Sequence, residues 1–321
     1  MNLRLKKVQN HPYLAPSETK REGVSAAQKW AVGLIEGDGH LGLMWSNKEK
    51  TNLSPVLKVS LHNYNARAIY KLKSVLGAGN ITHHGNLISL RLRSEKAWWN
   101  HVFPLFKACA LRTHKYYLVL IIMHVLSVKR SNTHALHTFA YRKQAYFNHC
   151  RNLVALTTKP HASKPSPVWM TKTHSVQPWF NFQTAALTMP EDVFRRGLDL
   201  DWLAGFIEAE GSFYILNSGR HGFALGQKHD GIIIAAVSRL FKVHAKLKVR
   251  PKYALCDTTN PTSLALIARL MHKRLLGMKS FVFTLWARSL KKKKKDKKAC
   301  AVAKRLISQL TQNERFTKTK R

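Results

Sequence analysis

Hydrophobic and polar positions follow the same order twice along this chain of 321 residues. Residues 30–42 read WAVGLIEGDGHLG and residues 202–213 read WLAGFIEAEGSF, so in both places an apolar run ends in two acids. After each acidic motif, segments that alternate like strands and segments with a helical period follow in the same order. This recurrence predicts two related halves, each built from strands and helices.

Three segments alternate apolar and polar residues and therefore predict strands, namely 57–62, 88–93 and 245–253. Their polar faces carry Lys58, Ser60 and His62 in the first segment, Ser89, Arg91 and Arg93 in the second, and Lys246, Lys248, Arg250 and Lys252 in the third. The third segment is interpreted as one strand, with Tyr253 on its other face. A half-buried strand with solvated lysines would explain any one pattern, but cationic faces in both halves favour a sheet surface that binds nucleic acid.

The two acidic motifs are predicted to be helices over about 26–37 and 201–209. Residues 25–28 form a capping-box pattern that begins the first helix, and Gly39 and Gly211 lie where a residue able to adopt positive φ often ends one. Small residues that recur every four positions along a helix let two helix backbones approach closely. The small residues, four positions apart, are Gly33 and Gly37 in one motif and Gly205 and Ala209 in the other. We therefore expect the helices to pack together with their C-termini side by side.

Asp38 and Glu210 fall at these C-termini, where the helix dipole disfavours a carboxylate by roughly 0.3–1 kcal/mol. A bound divalent cation would offset that repulsion, and carboxylate oxygens suit Mg²⁺, which completes its shell with water and phosphate oxygens. Paired metals of this kind promote phosphodiester hydrolysis. Glu36 and Glu208 lie two positions earlier and are interpreted as supporting residues.

Residues 37–42 also fit the dinucleotide-binding pattern G-x-G-x-x-G. That pattern requires a strand before the glycines and a helix after them. Here the helical pattern comes first and the alternating pattern second, and the second motif lacks the glycine spacing. A dinucleotide site is therefore not favoured.

The charge of the chain narrows the class of partner. Lys and Arg number 54 against 16 Asp and Glu, which gives a formal net charge of +38. Nucleic acid is favoured over an anionic membrane surface because each neutralised phosphate releases counterions. No apolar run reaches the length of a membrane helix. The four cysteines include no C-x-x-C pair and predict neither a disulfide framework nor a zinc ribbon, which fits a reducing compartment.

The sequences WAVGLIEGDG and WLAGFIEAEG resemble the two signature helices of LAGLIDADG homing endonucleases, and the resemblance extends over roughly 25–128 and 200–290. It implies an α+β monomer of two pseudo-symmetric αββαββα halves, packed through the motif helices, whose antiparallel saddle-shaped sheets lie along the DNA major groove. The implied divisions are an N-terminal extension (1–24), a first half (25–129), a His-, Lys- and Pro-rich spacer (130–198), a second half (199–290) and a basic tail (291–321).

The resemblance also implies catalytic residues. The last acid of each motif, Asp38 and Glu210, would bind catalytic Mg²⁺, with two or more ions shared between them and Mn²⁺ able to substitute. Lys115 and Lys279 resemble the basic residue that precedes the late helix of each half, and they would stabilise charge developing on the phosphate.

Two strand ends are similar to the place where the family often carries a water-positioning glutamine. Gln227 occupies it in the second half, whereas His62 departs from the pattern in the first half, so the two strands of DNA could be cut at unequal rates. The alternation of apolar and polar residues places certain polar side chains on the sheet faces, and these are predicted to contact DNA. These are Lys58, Ser60, Arg91, Arg93, Tyr214, Asn217, Lys248 and Arg250.

The expected function is a sequence-specific, Mg²⁺-dependent endonuclease that cuts both strands of double-stranded DNA at a long site, with no membrane partner. An intron-encoded maturase that binds intron RNA and assists splicing, with or without residual nuclease activity, is the alternative. A structural RNA-binding protein would account for the charge but would leave the repeated acids unexplained. The resemblance implies an organellar location, in a mitochondrion or chloroplast.

Overall fold

The structure is a computed structural model, which describes residues 24–46, 53–113, 115–131, 198–228, 230–245, 248–250, 253–291 and 300–309. The predictions made for the N-terminal extension, for most of the spacer and for the lysine-rich run before residue 300 lie outside the described residues.

The first half follows the predicted order of helices and strands. Its elements are α1 (Ala26–Asp38), β1 (Gly39–Trp45), β2 (Leu53–His62), α2 (Ala66–Leu76), β3 (Asn80–His84), β4 (Leu87–Leu92), α3 (Glu95–Ala97), α4 (Phe103–Ala108) and α5 (Lys115–Ser131). A 3₁₀ turn, Asn63–Asn65, precedes α2, and a π-helical turn, Trp98–Val102, joins α3 to α4.

The second half repeats this order. Its elements are α6 (Leu200–Glu210), β5 (Gly211–Ile215), β6 (His221–Lys228), α7 (Gly231–Leu240), β7 (Lys248–Arg250), β8 (Tyr253–Thr258), α8 (Pro261–Leu270) and α9 (Lys279–Lys291). A further helix, α10, covers 300–309.

The two sheets share one topology. Their strand orders are β1-β2-β4-β3 and β5-β6-β8-β7, and every pairing is antiparallel. The predicted α+β fold with two related halves is therefore confirmed.

Helices cover one face of each sheet. In the first half α2 packs on β2 and β4 and buries Ala68, Ile69 and Leu72. The predicted apolar face of β2 is also confirmed, since Leu57 and Val59 are fully buried. The opposite faces remain accessible, which leaves one polar surface on each sheet.

The prediction of a single strand over 245–253 is wrong. β7 and β8 are antiparallel neighbours in which Arg250 pairs with Tyr253, so the chain changes direction between these two strands. Pro251 has no N–H to donate to a ladder, which favours a break at this point. Paired residues share a face, and Tyr253 therefore lies on the outer face with Lys248, not on the apolar face.

Helix α10 was not anticipated within the predicted basic tail. Its Ala303 and Ile307, four positions apart, are buried in the hydrophobic core. Among the described residues, none of the helices combines the length and the apolar character needed to cross a membrane.

Candidate active site

The two motif helices pack backbone against backbone. A Cβ atom added to Gly33 would lie 1.9 Å from the carbonyl oxygen of Trp202, and one added to Gly205 would lie 1.9 Å from the carbonyl oxygen of Trp30. Both distances are far below van der Waals contact, and their reciprocity reflects the pseudo-twofold relation of the halves. The close packing predicted from the small residues is confirmed.

Asp38 and Glu210 end α1 and α6 at neighbouring positions. A Cβ atom added to Gly37 would lie 2.2 Å from the Cβ of Ala209 and 3.4 Å from the Cγ of Glu210. Both acidic side chains are partly exposed. The helix pair therefore presents two carboxylates at one opening.

The glycines after the acids serve a different purpose from the predicted one. Gly39 and Gly211 have φ values of −75° and −77°, so neither adopts the left-handed conformation. Each helix passes directly into an extended strand. A Cβ atom at Gly39 would lie 2.3 Å from the carbonyl oxygen of Ile35, so glycine is needed for closeness and not for positive φ.

A buried lysine lies beneath each acid. Lys115 Nζ donates to the carbonyl oxygens of Ile35, Glu36 and Gly37 at 3.0, 2.7 and 2.9 Å, which uses all three ammonium protons. A cation at a helix C-terminus offsets the negative end of the dipole. The lysine therefore stabilises the helix end that carries Asp38.

The second half has the equivalent arrangement. Lys279 Nζ donates to the carbonyl oxygens of Ile207 and Ala209, at 3.3 and 3.0 Å. Lys115 and Lys279 are only 7% and 9% exposed, and each begins the long helix that follows its turn.

Glu36 organises the turn that leads to Lys115. Its Oε1 accepts from the backbone N–H groups of Arg112 and Thr113 at 2.7 and 2.6 Å and from the Thr113 hydroxyl at 2.8 Å. Its Oε2 accepts from Trp202 Nε1 of the other half at 2.6 Å. Burial raises the pKa of Glu36, and these hydrogen bonds oppose the rise. The side chain is fully buried and turned away from the opening.

Glu208 does the same for the turn that leads to Lys279. Its carboxylate accepts from the backbone N–H groups of Leu276, Gly277 and Lys279 at 3.2, 3.1 and 3.1 Å. Burial raises the pKa of Glu208, and the charge of Lys279 opposes that rise. The interpretation of Glu36 and Glu208 as supporting residues agrees with these contacts.

The ammonium of Lys115 lies among several carboxylates. Burial lowers its pKa, while the charges of Glu36, Asp38, Asp230 and Glu210 act in the opposite direction. The influence of Glu210 and Asp230 comes from the second half, so the two halves share one electrostatic environment. Asp230 was not identified from the sequence, because it follows β6 at an ordinary helix N-cap position.

His62 and Gln227 lie at or near the ends of β2 and β6. His62 Nδ1 accepts from the backbone N–H of Tyr64 at 3.3 Å, which leaves Nε2 as the protonated nitrogen of the neutral ring. Gln227 is 9% exposed, and it lies on the same, inner face of β6 as the buried Leu225. Its Oε1 accepts a hydrogen bond from the backbone N–H of Lys228 at 2.9 Å. A water-positioning role for either residue stays a prediction.

The outer face of the first sheet is cationic beside the acids. His40, Lys58 and Arg91 are consecutive partners across β1, β2 and β4. Partial burial lowers the pKa of His40, and the charges of Lys115, Lys58 and Arg91 add to this. The Oγ atoms of Ser60 and Ser89 are 2.8 Å apart on the same face. His40 was missed, although alternation from Gly39 could have assigned it to this surface.

The outer face of the second sheet contains a carboxylate. Tyr214 donates its hydroxyl to Asp257 Oδ1 at 2.5 Å, and Lys248 Nζ lies 3.2 Å from Asp257 Oδ2. Burial, and then the hydrogen bond to Asp257, raise the pKa of Tyr214. The Tyr214 ring lies over Gly222, where an added Cβ would meet its Cζ at 2.2 Å. Asp257 was not predicted because the segment after Tyr253 was not recognised as a separate strand.

The remaining predicted DNA contacts are placed as follows. Arg93 follows β4 and is exposed. Asn217 lies after β5 and pairs with Lys304 of α10. Arg250 lies in β7, and its side chain is outside the described part of the chain. An open cavity of about 750 Å³ is lined by Glu210, Ser212, Tyr214, Asn217, Lys279 and Lys304, among others.

The donor set fits a hard divalent cation that is shared with a substrate. Two neighbouring carboxylates supply oxygen ligands, which suit Mg²⁺. In the described ranges no cluster of three or more His, Cys, Asp or Glu residues could hold a metal ion alone. Phosphate and water oxygens would have to complete the shell around Asp38 and Glu210.

Sequence comparisons identify relatives over most of the chain. The family described as "LAGLIDADG endonuclease" matches residues 31–125. A "Probable intron-encoded endonuclease Cox1-I1b" of Schizosaccharomyces pombe is 26% identical over 283 residues, which cover 82% of this chain and 64% of that protein. A "Probable intron-encoded endonuclease aI3" of Dictyostelium citrinum is 35% identical over 52 residues, or 16% of this chain and 21% of that protein. The chain thus spans less than two thirds of either relative.

Solved structures share the fold. I-SmaMI bound to uncleaved DNA target in the presence of calcium ions has a TM-score of 0.65 and 19% identity, covering 88% of this chain and 98% of that one. The LAGLIDADG homing endonuclease I-GzeII in complex with its DNA target has a TM-score of 0.64 and 15% identity, covering 88% and 97%. In its two motif helices, its paired sheets and its sequence relatives, the chain resembles the LAGLIDADG homing endonucleases, and the LAGLIDADG endonuclease family matches its first half over residues 31–125.

Proposed function

We propose that the protein is a metal-dependent, site-specific endonuclease that hydrolyses one phosphodiester bond in each strand of a long double-stranded DNA site. The observation that carries this proposal is the pair of partly exposed carboxylates, Asp38 and Glu210, at the joined ends of α1 and α6, each above a buried lysine. The relatives named as intron-encoded endonucleases and the DNA-bound structural neighbours support it.

Asp38 and Glu210 would hold Mg²⁺, or Mn²⁺ in its place, with two or more ions shared between them. When bound, such ions supply a nucleophilic water at neutral pH and stabilise the leaving oxygen. Carboxylates this near one another repel when ionised, and the lysines beneath them reduce that repulsion.

Lys115 and Lys279 would also act on the scissile phosphates. Their ammonium groups are buried, so their charges are less screened than those of surface lysines. Fixed positive charge beside a phosphate stabilises the negative charge that develops in the transition state. His62 and Gln227 would position the attacking water in their own halves, and the unequal side chains would make the two strands react at different rates.

The outer sheet faces would bind the duplex. With a net charge of +38 the chain attracts DNA strongly at moderate salt. Side chains on these faces would read base edges in the major groove or contact phosphates. We propose a monomer, because one chain supplies both motif helices, and an organellar location, because relatives are named as intron-encoded.

A randomised duplex library tests the function. The protein is allowed to bind the library in Ca²⁺, the bound duplexes are moved to Mg²⁺, and the new ends are sequenced. Discrete double-strand ends within one long motif are expected. Tight binding without cleavage would contradict the nuclease proposal and would direct the next binding experiment to intron RNA, as a maturase requires.

Asp257 is expected to contribute to base preference. A carboxylate facing DNA repels phosphate, but it can accept a hydrogen bond from the amino group of cytosine. Asp257→Asn should therefore change the preferred base at one position of the site, by about 1–3 kcal/mol of discrimination. Selection from the library with the variant measures this. Glu95→Gln, whose carboxylate pairs with Lys129 of α5, should leave the preference unchanged. An unchanged preference in Asp257→Asn would contradict the assignment.

A further inference from the structure

The residues that precede α2 and α7 are of types that usually cap helices, yet neither caps its own. Asn65 and Asp230 occupy the N-cap positions, and neither side chain makes a capping hydrogen bond. Asn and Asp are favoured at this position because their oxygen accepts from the first free N–H groups of the helix. Asn65 is 4% exposed and Asp230 is fully buried. Their side chains therefore serve another purpose inside the protein.

Asn65 reaches from the first half into the second. Its Oδ1 accepts from the backbone N–H of Met278 at 2.8 Å. Residues 276–279 form the turn that begins α9 and carries Lys279. Glu208 accepts the N–H groups of the other three residues of this turn. The turn therefore has four consecutive N–H groups bound by side chains, three by its own half and one by the opposite half.

The contact across the halves is tight. A Cβ atom added to Gly277 would lie 2.4 Å from Glu208 Oε1 and 2.6 Å from Asn65 Oδ1. The glycine is thus held between one oxygen from each half. A small displacement of Asn65 would move the backbone that leads to Lys279.

The surroundings of Lys115 also include groups from the second half. Asp230 is the counterpart of Asn65, and its carboxylate charge acts on the ammonium of Lys115. Trp202 of the second half also donates to Glu36, which holds the turn before Lys115. Each lysine-bearing turn is therefore held partly by the other half.

We propose that Asn65 is a positioning residue that holds the lysine-bearing turn of the second half, so that the start of α2 fixes the position of Lys279. This inference rests on the proposed nuclease function. Because β2 leads into α2, contact of the first sheet with DNA adjusts the lysine that belongs to the second half. The two cleavage events are thereby coupled through backbone geometry.

The test follows the nicking of each DNA strand separately, on a plasmid with one selected target and saturating protein. Lys279→Met and Lys115→Met first identify the strand that depends on each lysine. Asn65→Ala should slow the Lys279-dependent strand roughly tenfold, the order of one lost hydrogen bond, and leave the other strand unchanged. Asn65→Asp keeps the acceptor oxygen and should restore the rate.

Asn63→Ala is the matched control, because Asn63 lies in the same 3₁₀ turn but bonds to Gly85 of its own half. It should leave both strands at wild-type rates. Hydrogen exchange gives a readout without cleavage: the amide of Met278 should exchange faster in Asn65→Ala than in Asn63→Ala. Duplex affinity in Ca²⁺ should be unchanged.

Equal slowing of both strands, no slowing, or slowing of the opposite strand would overturn the proposal. If Asn65→Ala does not fold, Gly277→Ala displaces the same turn and should slow the same strand. If the wild-type protein cuts no duplex, the proposed function fails. The exchange of the Met278 amide then still decides whether Asn65 holds the turn.

Discussion

Asp38→Asn is expected to lower double-strand cleavage by about 1,000-fold while leaving duplex affinity in Ca²⁺ within about tenfold of wild type. The amide keeps the size of the side chain but removes the charge that would bind Mg²⁺. Loss of several kcal/mol of metal-derived stabilisation corresponds to this factor. Glu210→Gln should have an effect of the same size, because the two acids end equivalent helices at neighbouring positions.

Strand-resolved cleavage separates two arrangements of the metal. If ions are shared between Asp38 and Glu210, either variant should abolish nicking of both strands. Persistent nicking of one strand would mean that each acid serves its own strand. Asp201→Asn is the control, since Asp201 lies in the first turn of α6 and pairs with Arg274, far along the helix from Glu210. Unchanged cutting by Asp38→Asn would refute the role of the acids.

The elements and the main chemical groups were predictable because local patterns specify them. The capping box at Ser25 begins α1 as expected, with its two reciprocal hydrogen bonds at 2.9 and 3.2 Å. Small residues four apart predicted the helix contact, since only glycine permits backbone atoms of two helices to touch. Lys115 and Lys279 were found through the resemblance, and their hydrogen bonds to the helix ends supply a physical reason for their placement.

Contacts between distant segments were not predictable from one sequence. Asn65 is a residue that a local interpretation assigns to a helix cap, and only the packing of the halves brings its side chain to the turn before α9. Glu36 accepts hydrogen bonds both from its own half and from Trp202 of the other half, and no sequence pattern predicts this combination either. The reversal between β7 and β8 was missed because apolar and cationic residues go on alternating in the sequence up to Tyr253, although the pairing of Arg250 with Tyr253 places these two residues on the same face.

Gly33→Ala should destabilise the protein by roughly 3 kcal/mol, the upper part of the usual range for overpacking. The added Cβ would overlap the Trp202 carbonyl oxygen at 1.9 Å and the Phe206 nitrogen at 2.8 Å. Both are backbone atoms, so no change of rotamer relieves the clash and the helices must separate. The free energy of unfolding in denaturant measures the loss, and cleavage should fall as well because the separation moves Asp38 away from Glu210.

The double variant Gly33→Ala/Gly205→Ala tests whether one helix separation relieves both clashes. Gly205→Ala alone should cost as much as Gly33→Ala, since its Cβ would meet the Trp30 carbonyl oxygen at the same 1.9 Å. Once the helices have moved apart for one methyl group, the second fits with little further cost, so the double variant should lose much less than the sum of the two. Gly85→Ala is the comparison, because an added Cβ there meets nothing within 4 Å and the cost comes only from its φ of +53°. Additive losses, or a Gly33→Ala variant as stable as Gly85→Ala, would mean that the helices are not held at this distance in solution.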